Sequence, residues 1–538
     1  MNLLGFSGHP QPSPARFGAV ETSKLESKNP ATGESLGSLN VTPSSALLET
    51  FNRSRQAQSS WACLPLKTRI QKLIDLREVL IEERHEIASL LSRENGKPIF
   101  EALSAELLPA VDLLTYYARN SAKILKKRKL PLSLLKYRKS EIEHWPLGVV
   151  AVISPWNYPF LLPFGEIAPI LTAGNAVVFK PSEVTPLIGL KIQSLFEKAG
   201  YPTGLLQTVI GDGTLGQALI EQKPAKVFFT GSVATGRKVM TQAASHLIPV
   251  NLELGGKDAL IVLDDADLDY ATSCVLWGAF TNSGQVCAST ERVLIHESIA
   301  GEFKNLLSKK AKSLRPGDPL NPSTDLGAVT FEKQKSVYEA HLSEARSHGA
   351  EITFGGTFSP DRTRLAPTLI TGAGVESLQA YTEETFGPVV ALTTFKNDGE
   401  AVLKANSSRY GLVASVISRD LGRARKLASQ LEVGTVNINE VLYTAGLGET
   451  PWGGIKESGI GRSHGPWGLL EAVHVRHVHS PRLFSQRKSP WWFPYSRLQY
   501  DLFDAVFLLY RKSWIQKISA LPRLIFKAIS FFKNEDRI

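Results

Sequence analysis

Two rhythms of apolar and polar residues divide the chain. Over residues 56–122 the spacing is mostly helical: Ile70, Leu73, Ile74, Leu80 and Ile81 mark one apolar face, broken where Arg77 takes the intervening place. From Trp145 the character changes. GVVAVISPWNYP is a short β-branched run ending in a turn, and NAVVFKPSEVTP repeats that form after an apolar helix candidate at 161–173. A helix candidate at 187–199, the strand LQTVI, the loop GDGTLG, another helix and the strand KVFFT at 226–230 follow. Strands and helices alternating at this spacing predict a doubly wound parallel sheet. A second pass begins with ALIVL at 259–263, a helix around 271–282 and RVLIH at 292–296. It continues through helices to about 312 and over 330–349, then β-rich pieces near 389–395, 411–418 and 433–438. A second α/β domain over roughly 255–455 is expected. Between the early helices and the first sheet, residues 123–144 end in the charged alternation KYRKSEIEHW, which reads as a solvated hairpin or ribbon.

Composition adds limits. With 538 residues, 43% of them apolar, the chain can bury a sizeable core, which excludes pervasive disorder. Its first twenty-odd residues, rich in Pro, Ser and Gly, read as loose. Three cysteines (Cys63, Cys274 and Cys287) make neither a disulfide framework nor a four-cysteine metal site, so a reducing compartment is expected. The first residues lack the basic leader and apolar core of a signal peptide, and no apolar run reaches the roughly 18 residues of a spanning helix. The net charge of +10 is uneven. Residues 481–538 carry eleven Lys/Arg and four Asp/Glu, and 121–140 carry eight Lys/Arg and no acid, which leaves the remainder at −5. Charge alone, with no reading head for bases, gives no case for nucleic acid.

The candidate chemistry lies in loops after strands. GDGTLG (211–216) fits the dinucleotide fingerprint GxGxxG, yet no acidic residue ends the next strand to bind a ribose. GSVATG (231–236) also follows a strand and opens a helix, whose free N–H groups can receive a pyrophosphate; an ordinary strand–turn–helix corner would look alike. Cys287 is the one cysteine in a small, polar stretch, AFTNSGQVCASTER, whereas Cys63 and Cys274 have apolar neighbours and read as buried packing residues. Glu253, where NLELGG runs from strand into a double glycine, suits a shielded base. Asn157, boxed by prolines and aromatics in SPWNYP, suits either an oxyanion donor or a turn bonding its own backbone. Lys180 and Glu183 in KPSE sit at the sheet edge where ligands bind, as an ordinary solvated pair could.

Together SPWNYP, KPSE, FTGS, LELGGK, FTNSGQVC, EETFGP, NSSRYGL, GTVNIN and PWGGIKESGIGR make the chain resemble the NAD(P)-dependent aldehyde dehydrogenase superfamily from about residue 25 to 480. The resemblance implies an α/β fold of two Rossmann-like domains with a small β-ribbon oligomerisation domain. Its expected parts are 1–122 and 146–254 for the cofactor-binding domain, 255–456 for the catalytic domain, 123–145 and 457–480 for the ribbon, and 481–538 for a tail. It further implies Cys287 as nucleophile, Glu253 as general base and Asn157 as oxyanion donor, with Ser154, Trp156, Lys180, Glu183, Gly231, Ser232, Glu384 and Phe386 around the cofactor and no metal. The expected reaction passes through a cysteine thiohemiacetal and thioester. Glu183 favours NAD, with NADP as the alternative, because a carboxylate repels a 2′-phosphate. The formal GxGxxG loop is then a decoy.

The tail exceeds what the resemblance covers. Phe503, Phe507, Tyr510 and Trp514 fall on one helical face, and Ile525, Phe526, Ile529 and Phe532 form a second piece after Pro522, amid Arg511, Lys512, Lys517, Arg523, Lys527 and Lys533. This reads as peripheral membrane attachment, or else as packing on a partner or over the substrate tunnel. A medium- or long-chain aliphatic aldehyde is the expected substrate. A semialdehyde such as succinic semialdehyde or an amino aldehyde is the rival, and a cysteine acyl hydrolase the remote one. Arg292, a tempting anchor, opens a strand and reads as structural. A homodimer or homotetramer in the cytoplasm, with no nucleic-acid partner and with the tail as a contact to the inner face of a membrane, completes the expectation.

Overall fold

The computed structural model describes residues 23–136, 138–482 and 489–533. The loose N-terminal segment expected above lies outside them, as do the side chains of Phe532 and Lys533. Two parallel sheets form the centre of one unit, built from residues 1–126 and 144–474. The first sheet has six strands in the order Gly459–Ile460, Val250–Glu253, Val227–Thr230, Val149–Ile153, Ala176–Lys180, Leu206–Thr208. All run parallel except Gly459–Ile460. From Val149–Ile153 the chain first adds strands on one side, then crosses to add Val227–Thr230 on the other. The crevice outside the carboxyl ends of those two strands is therefore a topological switch point, where ligands bind in such sheets.

The second sheet has seven strands in the order Glu351–Phe354, Thr368–Thr371, Val389–Phe395, Thr290–His296, Asp258–Val262, Val413–Ile417, Thr435–Ile438. Only the first edge strand is antiparallel. Val149–Ile153, Ala176–Lys180 and Asp258–Val262 are buried throughout, as near-continuous β-branched runs require when helices cover both faces of a sheet.

The early helical region resolves into Leu47–Ala62, Leu66–Asn95 and Leu108–Ile124. Leu66–Asn95 stops at Gly96, whose φ of +86° is the left-handed cap that glycine supplies. Its core face differs from the expected one. Leu73, Leu76, Leu80, Ile87 and Leu91 are buried, while Ile81 is exposed, because the true stripe advances through position 76 rather than 74. Cys63 is exposed, contrary to expectation, whereas Cys274 is buried. Cys63 caps a helix at a corner, and its neighbour Trp61 takes the place in the core.

The second unit, residues 127–143 and 475–538, contains most of a three-stranded sheet in the order Val473–Pro481, Arg138–Pro146, Arg128–Leu130. Its return strand starts at Val473, not near 457. Gly459–Ile460 instead extend the first sheet beside Leu252 and Glu253, so this stretch positions the site. In the tail, Arg497–Leu508 starts with a capping box from Ser496 and Gln499, and a second helix spans Trp514–Lys533. The expected face 503–514 is thus split, with Trp514 opening the next helix. Pro522, expected to separate two pieces, lies inside one helix at the loss of one backbone hydrogen bond. No helix among the described residues is long and apolar enough to cross a membrane.

Candidate active site

Each catalytic candidate sits where a buried strand or helix ends in a loop held by charges from elsewhere. Val149–Ile153 runs into Ser154, whose N–H donates to the Lys180 carbonyl at 3.2 Å, and then into Trp156 and Asn157. The helix that follows, Leu161–Thr172, leaves N–H groups free at its start. Glu106 accepts from two N–H groups there, Phe160 at 2.9 Å and Leu161 at 3.0 Å. Glu106 is in turn paired with Lys97, both fully buried. Lys97 Nζ also donates to the Asn157 carbonyl at 2.9 Å and lies 4.0 Å over the Tyr158 ring. Asn157 is therefore fixed in backbone position before its amide does anything.

The cysteine loop is fixed as tightly. Residues 281–284 turn with Asn282 and Ser283 at φ of 48° and 54°, a conformation non-glycine residues keep only when surroundings over-determine it. Glu101 accepts from Thr281 Oγ1 at 2.9 Å and from the Asn282 N–H at 2.8 Å. The Gln285 amide donates to the Asn282 carbonyl and accepts from the Thr330 N–H. Gly284 has a φ of +72°, and a Cβ there would enter the Gly387 backbone. Asn157 Nδ2 donates to the Gln285 carbonyl at 3.1 Å, and Asn282 Nδ2 donates back to the Asn157 carbonyl at 2.9 Å. One N–H of the Asn157 amide has no partner among the described residues.

Glu253 ends its strand between Thr230 and Gly459. Its Oε1 accepts from Ser463 at 3.4 Å, and its buried Oε2 has no partner. Burial, with the Glu166 carboxyl added, raises its pKa well above the usual carboxylate range, against the pull of Arg462. Burial likewise pushes the Cys287 thiol up, helped by the nearby Glu384, Asp258 and Glu253 carboxyls. Burial thus favours the uncharged form of both groups.

All eleven residues assigned from the sequence line one cleft of about 1000 Å³. The cleft fits a dinucleotide in three places. At one end Lys180, buried, donates to the Pro181 carbonyl at 3.1 Å and lies 3.7 Å from Glu183, whose carboxylate is 41% exposed and open to a ligand. In the middle, Ser232 caps the helix Val233–Ser245. The Gly231 N–H is spent on the Glu253 carbonyl at 3.0 Å, so the role of Gly231 is steric: a Cβ would strike the Phe229 ring. At the other end Glu384 accepts from the Gly256 N–H at 3.2 Å and is pushed up to about 8 by burial and by Glu291. Phe386, at a φ of 54°, meets the Trp156 ring edge-on at 5.4 Å. Gly213 and Gly216 of the formal GxGxxG border the same cleft, although Asp212 is used to cap its own helix.

A second cavity of about 720 Å³ meets the first at Cys287 and Leu162. Its walls are mainly apolar and aromatic, among them Tyr158, Trp277, Phe280, Leu442 and Trp452, and among the described residues no Lys or Arg lines it. His464 does, with burial lowering its pKa to about 4, so it is neutral. Arg292 is elsewhere, buried and donating to the Lys257, Lys404 and Ala405 carbonyls. Among the described residues no group of three or more His, Cys, Asp and Glu could hold a metal ion.

Sequence reasoning missed the supporting charges. Besides Lys97, Glu106 and Glu101, Glu291 pairs with Lys257 and accepts from the Thr385 and Phe386 N–H groups, fixing the loop that carries Glu384. Lys97 in ENGKP, just past a helix-ending glycine, was the one visible signal.

The family model described as "Aldehyde dehydrogenase family" matches residues 18–478. The chain is 40% identical over 479 residues to 4,4′-diapolycopene aldehyde oxidase of Methylomonas sp, covering 88% of this chain and 89% of that protein. It is 39% identical over 452 residues to the peroxisomal aminoaldehyde dehydrogenase 1 of Pisum sativum, covering 83% and 88%. Among solved structures, betaine aldehyde dehydrogenase of Staphylococcus aureus in complex with NAD+ superposes with a TM-score of 0.82 at 31% identity, over 87% of this chain and 93% of that one. An aldehyde dehydrogenase of Brucella melitensis gives 0.82 at 31%, over 86% and 95%.

The Lys97–Glu106 pair yields a test. Lys97→Met strands a buried carboxylate and removes a donor from Asn157, and is expected to cost about 3–5 kcal/mol in chemical denaturation. Lys97→Met with Glu106→Gln should cost less than the two single changes summed. Wild-type stability of Lys97→Met would contradict this account of the loop.

Proposed function

The chain belongs to the aldehyde dehydrogenase family, whose members oxidise aldehydes to acids with NAD(P) through a cysteine, and on that premise we propose that Cys287 is its nucleophile, Asn157 its oxyanion donor and Glu253 its general base. The supporting observation is the meeting of two cavities at Cys287, one shaped for a dinucleotide and one apolar. In the proposed reaction the Cys287 thiol gives up its proton to solvent in the cleft, and its thiolate Sγ attacks the aldehyde carbonyl that enters through the second cavity. The unspent N–H of Asn157 and the backbone N–H of Cys287 take the developing oxyanion. A bound nicotinamide cofactor supplies the hydride acceptor that makes this step an oxidation. Cys287 then carries a thioester. Glu253, once deprotonated, removes a proton from the water that attacks this thioester, and the acid leaves.

Around the cofactor, Ser154, Trp156, Lys180 and Glu183 are proposed for the adenosine end, Gly231 and Ser232 for the pyrophosphate, and Glu384 and Phe386 for the nicotinamide riboside. The open carboxylate of Glu183 favours NAD, since it accepts from two ribose hydroxyls and repels a phosphate.

For substrate we propose a medium- or long-chain aliphatic aldehyde. Without a lining cation, the second cavity offers no partner to the carboxylate of succinic semialdehyde. It does carry Glu101, Asp112 and Asp325, which keeps an amino aldehyde as the second reading. Those carboxylates are largely spoken for: Glu101 holds the cysteine loop, Asp325 binds Arg315 at 2.8 Å, and Asp112 is exposed. We further propose that the chain works as a homodimer or homotetramer through the ribbon. Val473–Pro481 is an edge strand of its sheet, with Val475 65% exposed, and such edges need cover.

Three outcomes check the proposal. Cys287→Ala should abolish NADH formation, and Asn157→Ala should lower kcat by about 10²-fold. Because burial raises the pKa of Glu253, its base form is scarce in acid. Hydrolysis-limited turnover should therefore rise by up to about tenfold per pH unit as pH increases, and lose that dependence in Glu253→Gln. Across straight-chain aldehydes kcat/KM should climb by up to about fourfold per methylene, the equivalent of ~0.8 kcal/mol. A flat series with preference for a cationic aldehyde would establish the second reading instead.

A further inference from the structure

The helix Trp514–Lys533 has two apolar faces, and only one of them is covered. Ala520 and Phe531 are buried, on the side that packs against Arg497–Leu508. Ile515, Ile518, Pro522, Ile525 and Ile529 recur at intervals of three and four residues on the opposite side. All five are exposed, and Phe526, next to this stripe, is 72% exposed. At roughly 1.5 Å per residue the stripe is about 21 Å long. The same unit exposes six further aromatic rings: Trp492, Phe493, Tyr495, Phe507, Tyr510 and Trp514. Isolated exposed apolar residues need no explanation, but a contiguous stripe of this kind marks an interaction surface.

The charges select the occupant. Residues 505–533 contain six Lys or Arg and no Asp or Glu. By the helical progression of roughly 100° per residue, Lys517 and Arg523 lie on either side of the stripe. Protein interfaces deplete Lys at such positions, whereas an anionic bilayer surface draws it and takes aromatic rings at headgroup depth. We propose that the Trp514–Lys533 helix lies along an anionic membrane surface, with Ile515, Ile518, Ile525 and Ile529 in the acyl boundary and Lys517 and Arg523 at the headgroups. This attachment is peripheral, and it stands independently of which aldehyde the site takes.

The test is flotation of the full-length protein with vesicles of phosphatidylcholine alone or mixed with phosphatidylglycerol. The wild type should float with the anionic vesicles and be released by salt. Ile518→Asp with Ile525→Asp should weaken that binding at least tenfold, and Lys517→Gln with Arg523→Gln about fivefold per residue. Both variants should keep wild-type NADH formation from a water-soluble aldehyde, since none of the four residues lines either cavity. Absence of wild-type binding, or wild-type binding by the isoleucine variant, would overturn the proposal. So would an isoleucine variant whose sole change is a smaller oligomer in sedimentation, because the stripe would then be covered by a second copy of the chain.

Discussion

Asn157 ties together three distant parts of the chain. Its backbone carbonyl accepts from Lys97, beyond the long N-terminal helix, and from Asn282, in the turn before Cys287. Its Nδ2 donates to Gln285, two residues before Cys287. A residue bonded to the cysteine loop through both its backbone and its side chain cannot shift without moving Cys287. The left-handed Asn282–Ser283 turn is the visible cost, and Glu101, Gln285 and Gly284 are what hold it in place.

The same burial that fixes geometry sets the protonation states. Glu253, Cys287 and Glu384 all lose solvation in the cleft, and each is driven toward its neutral form. The ion pairs Lys97–Glu106 and Lys257–Glu291 are buried and are used on backbone N–H and carbonyl groups of the loops that carry Asn157 and Glu384.

Much of this was legible in the sequence because the site lives in loops with unusual residue patterns. SPWNYP, LELGG and FTNSGQVC place Asn157, Glu253 and Cys287 after buried strands or a helix, and the β-branched runs mark the central strands of both sheets, though not the short strands Glu351–Phe354, Thr368–Thr371 and Gly459–Ile460. Supporting charges were invisible, since a buried Glu106 or Glu291 reads like any helix or strand-end acid until its partners 54 or 94 residues away arrive. Local pattern also misjudged packing that depends on neighbours. Ile81 and Cys63 turned outward, residues 457–472 joined the body rather than the ribbon, and the tail broke before Trp514 instead of at Pro522.

The central claim is that Cys287 carries the acyl group and Glu253 activates the water that removes it. The most direct measurement is the intact mass of Glu253→Gln after brief exposure to aldehyde and NAD, followed by peptide mapping. The account predicts an adduct of one acyl group on Cys287, formed with stoichiometric NADH and persisting far longer than in the wild type. NADH produced with no adduct, or an adduct on Cys63 or Cys274, would contradict it.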